Sequence, residues 1–279
     1  MSLPGLIVVG LILATLAVPS AAAQQFSISN AAETVLVPSG NLRLTGMLWK
    51  PEGEGPFPAI LFTHGAGRKD SDNVQGIGPI FAKHGYMFLY LFRRGHGLSA
   101  DQGAFIGDLL AREASAKGEE ARKRLQLLLL TTDHLDDFLA GLYFLRNVPD
   151  VNSGRIAVAG HSFGGQLALL AAEREPAVQA VVTFAAGAQL WDGSAELRER
   201  LLQAVRNIEA PVLLIHAAND FSTAPGTALA AEMALLKKPY QLKIYPAVGD
   251  TPSAGHNAVY TDIATWEADV FTFLQMKLR

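Results

Sequence analysis

The sequence predicts an α/β protein with a mostly parallel central sheet and helices on both faces. Three observations carry this. From residue 58 onward, short apolar runs alternate with stretches of helical periodicity, the pattern of strands joined by crossover helices. Around Gly160-His161-Ser162-Phe163-Gly164, a strand-like run (Arg155 to Ala159) meets a helix-forming run (Leu167 to Ala172) through a turn of small residues. The 279 residues are 49% hydrophobic and 18% charged, enough apolar material for one large buried core.

The elements follow in order. Leu3 to Val18 is almost wholly apolar and leads into Pro19-Ser20-Ala21-Ala22-Ala23, with small residues where a signal peptidase cleaves. Residues 1–23 therefore read as a secretory signal cleaved before Gln24, which leaves a domain of residues 24–279 and a secreted or periplasmic location. An uncleaved anchor is the other reading, since no Lys or Arg precedes the apolar run. Glu33 to Pro38 and Leu42 to Lys50 are expected to form an antiparallel pair about the turn Ser39-Gly40-Asn41. Pro58 to Thr63 and Tyr86 to Leu91 are apolar throughout, as strands covered on both faces must be, with a helix over Gly76 to His84 between them.

Residues 101–131 are the least regular stretch. They read as a small helical insertion, with one helix over Ala114 to Leu130, that either rests over a pocket mouth as a cap or forms a solvated surface excursion. Asp133 to Asn147 carries a clear apolar face on Leu135, Phe138, Leu139, Leu142 and Leu145, and its early Asp residues suit the N-terminal end of a helix dipole. Strands are expected at Val178 to Phe184, Pro211 to Ala217 and Tyr240 to Tyr245. Helices are expected at Ser194 to Val205, Gly226 to Leu236 and Ala258 to Leu274.

The Gly-x-Ser-x-Gly turn between strand and helix forces its serine into a strained conformation and lifts the hydroxyl clear of the sheet, at a helix N-terminus that favours negative charge. Ser162 is the candidate nucleophile. A serine hydroxyl needs an adjacent base oriented by an acid, and open α/β sheets place such groups just past the C-terminal ends of strands. Of seven histidines, only His256 falls in a loop after the last strand; the others lie in earlier loops, in helices, in a strand or beside the serine. Asp220 follows the strand that begins at Pro211, whereas the competing Asp250 shares the histidine's own loop. The candidate set is thus Ser162, Asp220 and His256. The N–H groups of Ala66, in the small-residue loop His64-Gly65-Ala66-Gly67, and of Phe163 are candidate donors to an oxyanion. Either Arg93 or Arg94 is expected to tie down the loop that follows its strand, with His96 in a structural role.

A net charge of −3 is too small to imply a polyanionic partner, and the basic clusters Arg93-Arg94 and Arg122-Lys123-Arg124 lack interleaved aromatics, so no nucleic-acid site is expected. The chain has no cysteine, which removes disulfides, thiolate catalysis and thiolate metal sites. Asp133, His134, Asp136 and Asp137 lack a second ligand cluster, so no metal is expected, and the chemistry requires no cofactor.

With these residues assembled, the chain resembles the α/β-hydrolase superfamily, and within it the dienelactone-hydrolase-like and prolyl-oligopeptidase-like esterases. The resemblance rests on Gly46 to Pro51, Thr63 to Gly67, Arg93-Arg94-Gly95-His96-Gly97, Gly160 to Gly165, Asn219-Asp220 and Gly255-His256, across roughly residues 40 to 275. It implies the α/β-hydrolase fold and a serine hydrolase that cleaves small-molecule carboxylic esters through an acyl-enzyme. Dienelactone hydrolases proper use a cysteine nucleophile, so the resemblance extends to the fold and triad rather than to dienelactone as substrate. A serine peptidase and a catalytically silent binding protein of the same fold are the alternatives. The sequence carries no signal for oligomeric state, and no membrane contact is expected once the signal is cleaved.

Overall fold

The computed structural model describes Met1, residues 31–69 and residues 74–278. The expected signal segment and its junction with Gln24 lie outside the described residues, Met1 apart.

Among the described residues, eight strands form one sheet: β1 (Glu33–Ser39), β2 (Leu42–Trp49), β3 (Phe57–Thr63), β4 (Met87–Leu91), β5 (Val151–His161), β6 (Ala180–Phe184), β7 (Val212–Ala217) and β8 (Tyr240–Tyr245). Their spatial order is β1-β2-β4-β3-β5-β6-β7-β8. β1 and β2 pair antiparallel across the tight turn at Gly40-Asn41, β2 pairs antiparallel with β4, and every other pairing is parallel. In β1 the inward residues Val35, Val37 and Ser39 alternate with exposed ones, the period of a half-covered strand. β4, β6 and β7 are buried at every residue, as a parallel sheet between two helical layers requires.

Two apolar cores result, because successive side chains of a strand point to opposite faces. Leu61 and Val158 face a layer of α4 (Asp133–Arg146), α5 (Phe163–Arg174), α6 (Ala195–Asn207) and α7 (Ala224–Leu235). Ile60, Phe62 and Ala157 face α1 (Val74–Lys83) and α10 (Ile263–Lys277), where Phe81, Trp266 and Phe271 pack. Each fully buried Leu or Phe contributes roughly 1.5–3 kcal/mol relative to exposure.

Three expectations need correction. Residues 101–131 hold two helices, α2 (Ile106–Lys117) and α3 (Glu119–Thr131), rather than one over Ala114 to Leu130. The break is Gly118, whose φ of 86° and ψ of 176° suit glycine alone. Leu129 and Leu130 of α3 and Ile106 and Leu110 of α2 are buried, so the insertion packs onto the helical layer. The closing helix is divided: α9 (Ala258–Thr261) precedes α10. His256 is the last residue of a short helix, α8 (Pro252–His256), rather than a loop residue. Thr251 Oγ1 caps that helix by accepting from Ala254 N at 3.1 Å, and Pro252 occupies its first turn, where a missing N–H costs nothing. Among the described residues, no helix is long and apolar enough to cross a membrane.

Candidate active site

Ser162 stands between the end of β5 and the start of α5, with φ 54° and ψ −112°. This is left-handed territory for a residue with a side chain, and it persists because the surroundings over-determine it. Ser162 N–H donates to Phe184 O on the neighbouring strand at 2.7 Å, and Ser162 O accepts from Gln166 N at 3.2 Å. The turn closes tightly enough that a Cβ on Gly160 would fall 2.3 Å from Gly164 backbone atoms, and one on Gly164 would fall 2.3 Å from Thr63 O. The second contact presses the helix start against the loop that carries Ala66.

The structure brings the three candidate residues into one hydrogen-bonded chain. His256 Nε2 lies 2.9 Å from Ser162 Oγ, and His256 Nδ1 lies 2.7 Å from Asp220 Oδ1. Asp220 and His256 are both buried, at 7% and 5% exposure, so the bond between them forms away from bulk water, while the bond to the partly covered Ser162 lies nearer the surface. An Nδ1–H donating to the carboxylate leaves Nε2 as the acceptor for the serine hydroxyl, which is the tautomer a base requires. Phe221 N–H also donates to Asp220 Oδ1, at 2.7 Å.

Three further groups position this chain. His216, which the sequence places inside a strand, puts Nδ1 2.9 Å from the second carboxylate oxygen, Asp220 Oδ2. Burial is the largest influence on the Asp220 carboxyl and pushes it upward, but hydrogen bonds from His216 and His256 outweigh it and hold it below the ordinary Asp range. His161 Nε2–H donates to the backbone carbonyl of His256 at 2.9 Å. Burial drives His161 down to about 3, so it is neutral and its single proton serves that bond. Asn219 staples the β8–α8 connection: its Nδ2 donates to Val248 O and Thr251 O, each at 3.0 Å, and its Oδ1 accepts from Val248 N at 2.9 Å. The His-x-x-x-Asp spacing of His216 and Asp220 was the available signal for the first of these; the other two have none, because their partners are backbone groups remote in sequence.

Phe163 is the first residue of α5, so its N–H belongs to the unpaired donors of a helix N-terminus. Ala66 lies in the loop after β3, half-buried. Both arginines of the Arg93-Arg94 pair tie down loops. Arg94 bonds Asp137 through Nε and Nη2, each at 2.8 Å, and Asp133 at 3.0 Å. Asp137 in turn accepts from Ser39 Oγ at 2.8 Å, so one of the expected dipole carboxylates is instead a buried tether to the β1–β2 turn. Arg93 is fully buried among His64, His134 and Phe163. Burial, and then the Arg93 charge, drive His64 and His134 well below the ordinary His range, so both are neutral. A narrow, largely apolar recess adjoins the site, lined by residues that include Phe184, Ile215, His216, Tyr245, His256 and Trp266. The half-exposed ring of Phe221 stands edge-on to His256 at 5.1 Å.

A model of the dienelactone hydrolase family matches residues 44–274 of the chain. Esterase EstD of Thermotoga maritima is 31% identical over 134 residues, which are 48% of this chain and 28% of that protein. A putative carboxymethylenebutenolidase of Synechocystis is 25% identical over 171 residues, 58% of this chain and 62% of that one. The aligned regions thus span less than two thirds of either relative. Among solved structures, a dienelactone hydrolase from Anabaena variabilis superposes with a TM-score of 0.62 at 20% identity, covering 89% of this chain and 98% of that one. Est1E from Butyrivibrio proteoclasticus, bound to ferulic acid, gives 0.64 at 18% identity over 87% and 98%. The acylaminoacyl peptidase of Pyrococcus horikoshii gives 0.63 at 20% over 88% and 42%. These likenesses establish the α/β-hydrolase fold.

Proposed function

The chain belongs to the dienelactone hydrolase family, and from that premise we propose that it is a serine hydrolase of small-molecule carboxylic esters. The observation that carries this reading is the unbroken relay from Ser162 Oγ through His256 to Asp220 at 2.9 and 2.7 Å. Ser162 Oγ attacks the ester carbonyl while His256 Nε2 takes its proton. Asp220 orients the imidazole and stabilises the imidazolium that forms. The N–H groups of Ala66 and Phe163 receive the oxyanion, an effect of about 3 kcal/mol per donor. His256 then returns the proton to the leaving alkoxide, which departs as the alcohol and leaves an acyl-serine. Water enters, gives a proton to His256 and attacks the acyl carbon; the proton passes back to Ser162 Oγ as the acid leaves. No metal or redox group takes part in this sequence. We further propose that residues 1–23 direct export, which fusion of that segment to a periplasmic reporter tests.

The test is hydrolysis of a short-chain p-nitrophenyl ester by the full-length protein and by Ser162→Ala, with a fluorophosphonate label read in parallel. Turnover and labelling by the wild type alone support the reading. Folded wild type that does neither refutes it and points to a binding protein. Labelling with turnover of an acylated peptide but not of the ester assigns the site to a peptidase.

A further inference from the structure

Arg93 is a fully buried cation whose reach spans both sides of the oxyanion site. Its Nη2 donates to His64 O at 2.9 Å and to Gly65 O at 2.5 Å, its Nε donates to Thr63 Oγ1 at 3.2 Å, and its Nη1 lies 3.3 Å from His134 Nδ1. The guanidinium carbon also stands 4.8 Å from the centre of the Phe163 ring. His64 adds to the grip on Gly65. Its Nε2 accepts from Arg93 N–H at 3.3 Å, so its proton is on Nδ1, which donates to Gly65 O at 2.8 Å.

Gly65 O therefore receives two donors, and the consequence is geometric. A peptide unit is planar and trans, so its C=O and N–H point in opposite directions. Fixing the Gly65 carbonyl on Arg93 and His64 fixes the Ala66 N–H on the opposite side of the same plane. The second donor, Phe163 N–H, belongs to the residue whose ring lies against the same guanidinium, and whose helix start is pressed onto Thr63 O and His64 O at Gly164. We propose that Arg93 is a positioning residue for hydrolysis, one planar fork that aligns the Ala66 and Phe163 N–H groups with each other. This rests on the reading of Ser162 as nucleophile and of those two N–H groups as oxyanion donors. A lysine keeps the charge but has no fork to hold Thr63 Oγ1, two carbonyls and a ring face together.

Alignment of donors matters to the tetrahedral state and not to the ground-state ester. Steady-state kinetics of wild type, Arg93→Lys and Arg93→Met with a p-nitrophenyl ester, together with inhibition by a trifluoromethyl ketone that forms a tetrahedral adduct on serine, test this. Because loss of one donor outright costs about 100–1000-fold, misalignment is expected to lower kcat by about 10–100-fold, weaken the ketone by a similar factor and leave KM within about twofold. Arg93→Lys that retains kcat and ketone affinity overturns the proposal, as does a rise in KM that matches the fall in kcat. If neither variant folds, Thr63→Val removes the Nε acceptor, together with the Thr63 Oγ1–H bond to Leu91 O at 2.9 Å, and leaves Arg93 in place; a several-fold loss of kcat at constant KM is expected, and unchanged kcat overturns the proposal. Absence of turnover in the wild type refutes the underlying reading instead, and the proposal with it.

Discussion

His216 Nδ1 lies 2.9 Å from Asp220 Oδ2, the oxygen that His256 does not use. The two side chains are almost wholly inaccessible, at 1% and 0% exposure. The acid of the relay is therefore a carboxylate shared between two imidazoles, and its orientation depends on both. His216→Leu leaves Asp220 Oδ2 buried without that donor, at an expected cost of about 1–3 kcal/mol in stability and a fall in kcat. The pH dependence has a defined sign. A carboxyl held low in the folded state adds stability above its unfolded-state pKa and loses it as pH falls through the folded value. Removing His216 weakens that hold and narrows the gap between the folded and unfolded values, so urea titrations from pH 6 to 2 should show the variant, weaker at neutral pH, losing less stability on acidification than wild type, over a limb that ends at higher pH. Coincident acid limbs would contradict the shared carboxylate.

Ser162 has a positive φ of 54° that costs a side-chain-bearing residue about 1–3 kcal/mol. Ser162→Gly is expected to relieve the strain and, with Ser162 as the proposed nucleophile, to abolish ester turnover. Glycine's extra freedom in the unfolded chain offsets about 0.4–1 kcal/mol of the gain, so a net rise in Tm of a few degrees is expected. Calorimetry that shows a lower Tm would mean the elbow is not strained.

A methyl group on Gly164 would sit 2.3 Å from Thr63 O and 2.7 Å from His64 O, both backbone atoms that have little room to yield. Gly164→Ala is expected to cost about 3 kcal/mol or more, or to prevent folding, and any folded fraction should lose kcat because the Ala66 loop is displaced. Gly76→Ala, in α1 with nothing within 4 Å of the added carbon, is the control and should gain about 0.5–1 kcal/mol from helix propensity. Equal effects at the two positions would contradict the close approach.

His64, His134 and His161 are buried as neutral rings, with His161 lowered from 6.5 to about 3. Their folded-state values lie below the unfolded ones, so between the two the unfolded chain binds more protons. Stability is complete above the ordinary histidine range and falls as pH drops from about 6.5, by roughly 1.4 kcal/mol per pH unit for each ring. His161→Asn should reduce the slope of unfolding free energy against pH by about one proton between pH 6 and 4. An unchanged slope would show that His161 already titrates normally in the folded protein.

Asp137 is fully buried and holds Arg94 and Ser39 together, joining the β1–β2 turn, the segment after β4 and α4. Asp137→Asn leaves the partly buried guanidinium without one of its two carboxylates and is expected to cost about 3 kcal/mol. Chemical denaturation measures this directly; a loss under 0.5 kcal/mol would assign the tether no weight.

The sequence by itself determined the architecture and the order of the relay residues. Alternation in Leu42 to Lys50, unbroken apolar runs such as Pro58 to Thr63, and the small residues flanking Ser162 are local signals, written within a few residues of the structure they specify. Tertiary structure decided the rest. Gly118 inside a helical pattern is compatible with either a continuous helix or a break, and its positive φ follows from how α2 and α3 pack. His216 and Arg93 look in sequence like a strand histidine and one of two loop arginines, yet one orients Asp220 and the other grips the Gly65 peptide. Strand and helix periodicity is a short-range property of the chain. A buried polar group must find its partner wherever the fold supplies one, here across 94 residues between Ser162 and His256 and 28 between Gly65 and Arg93.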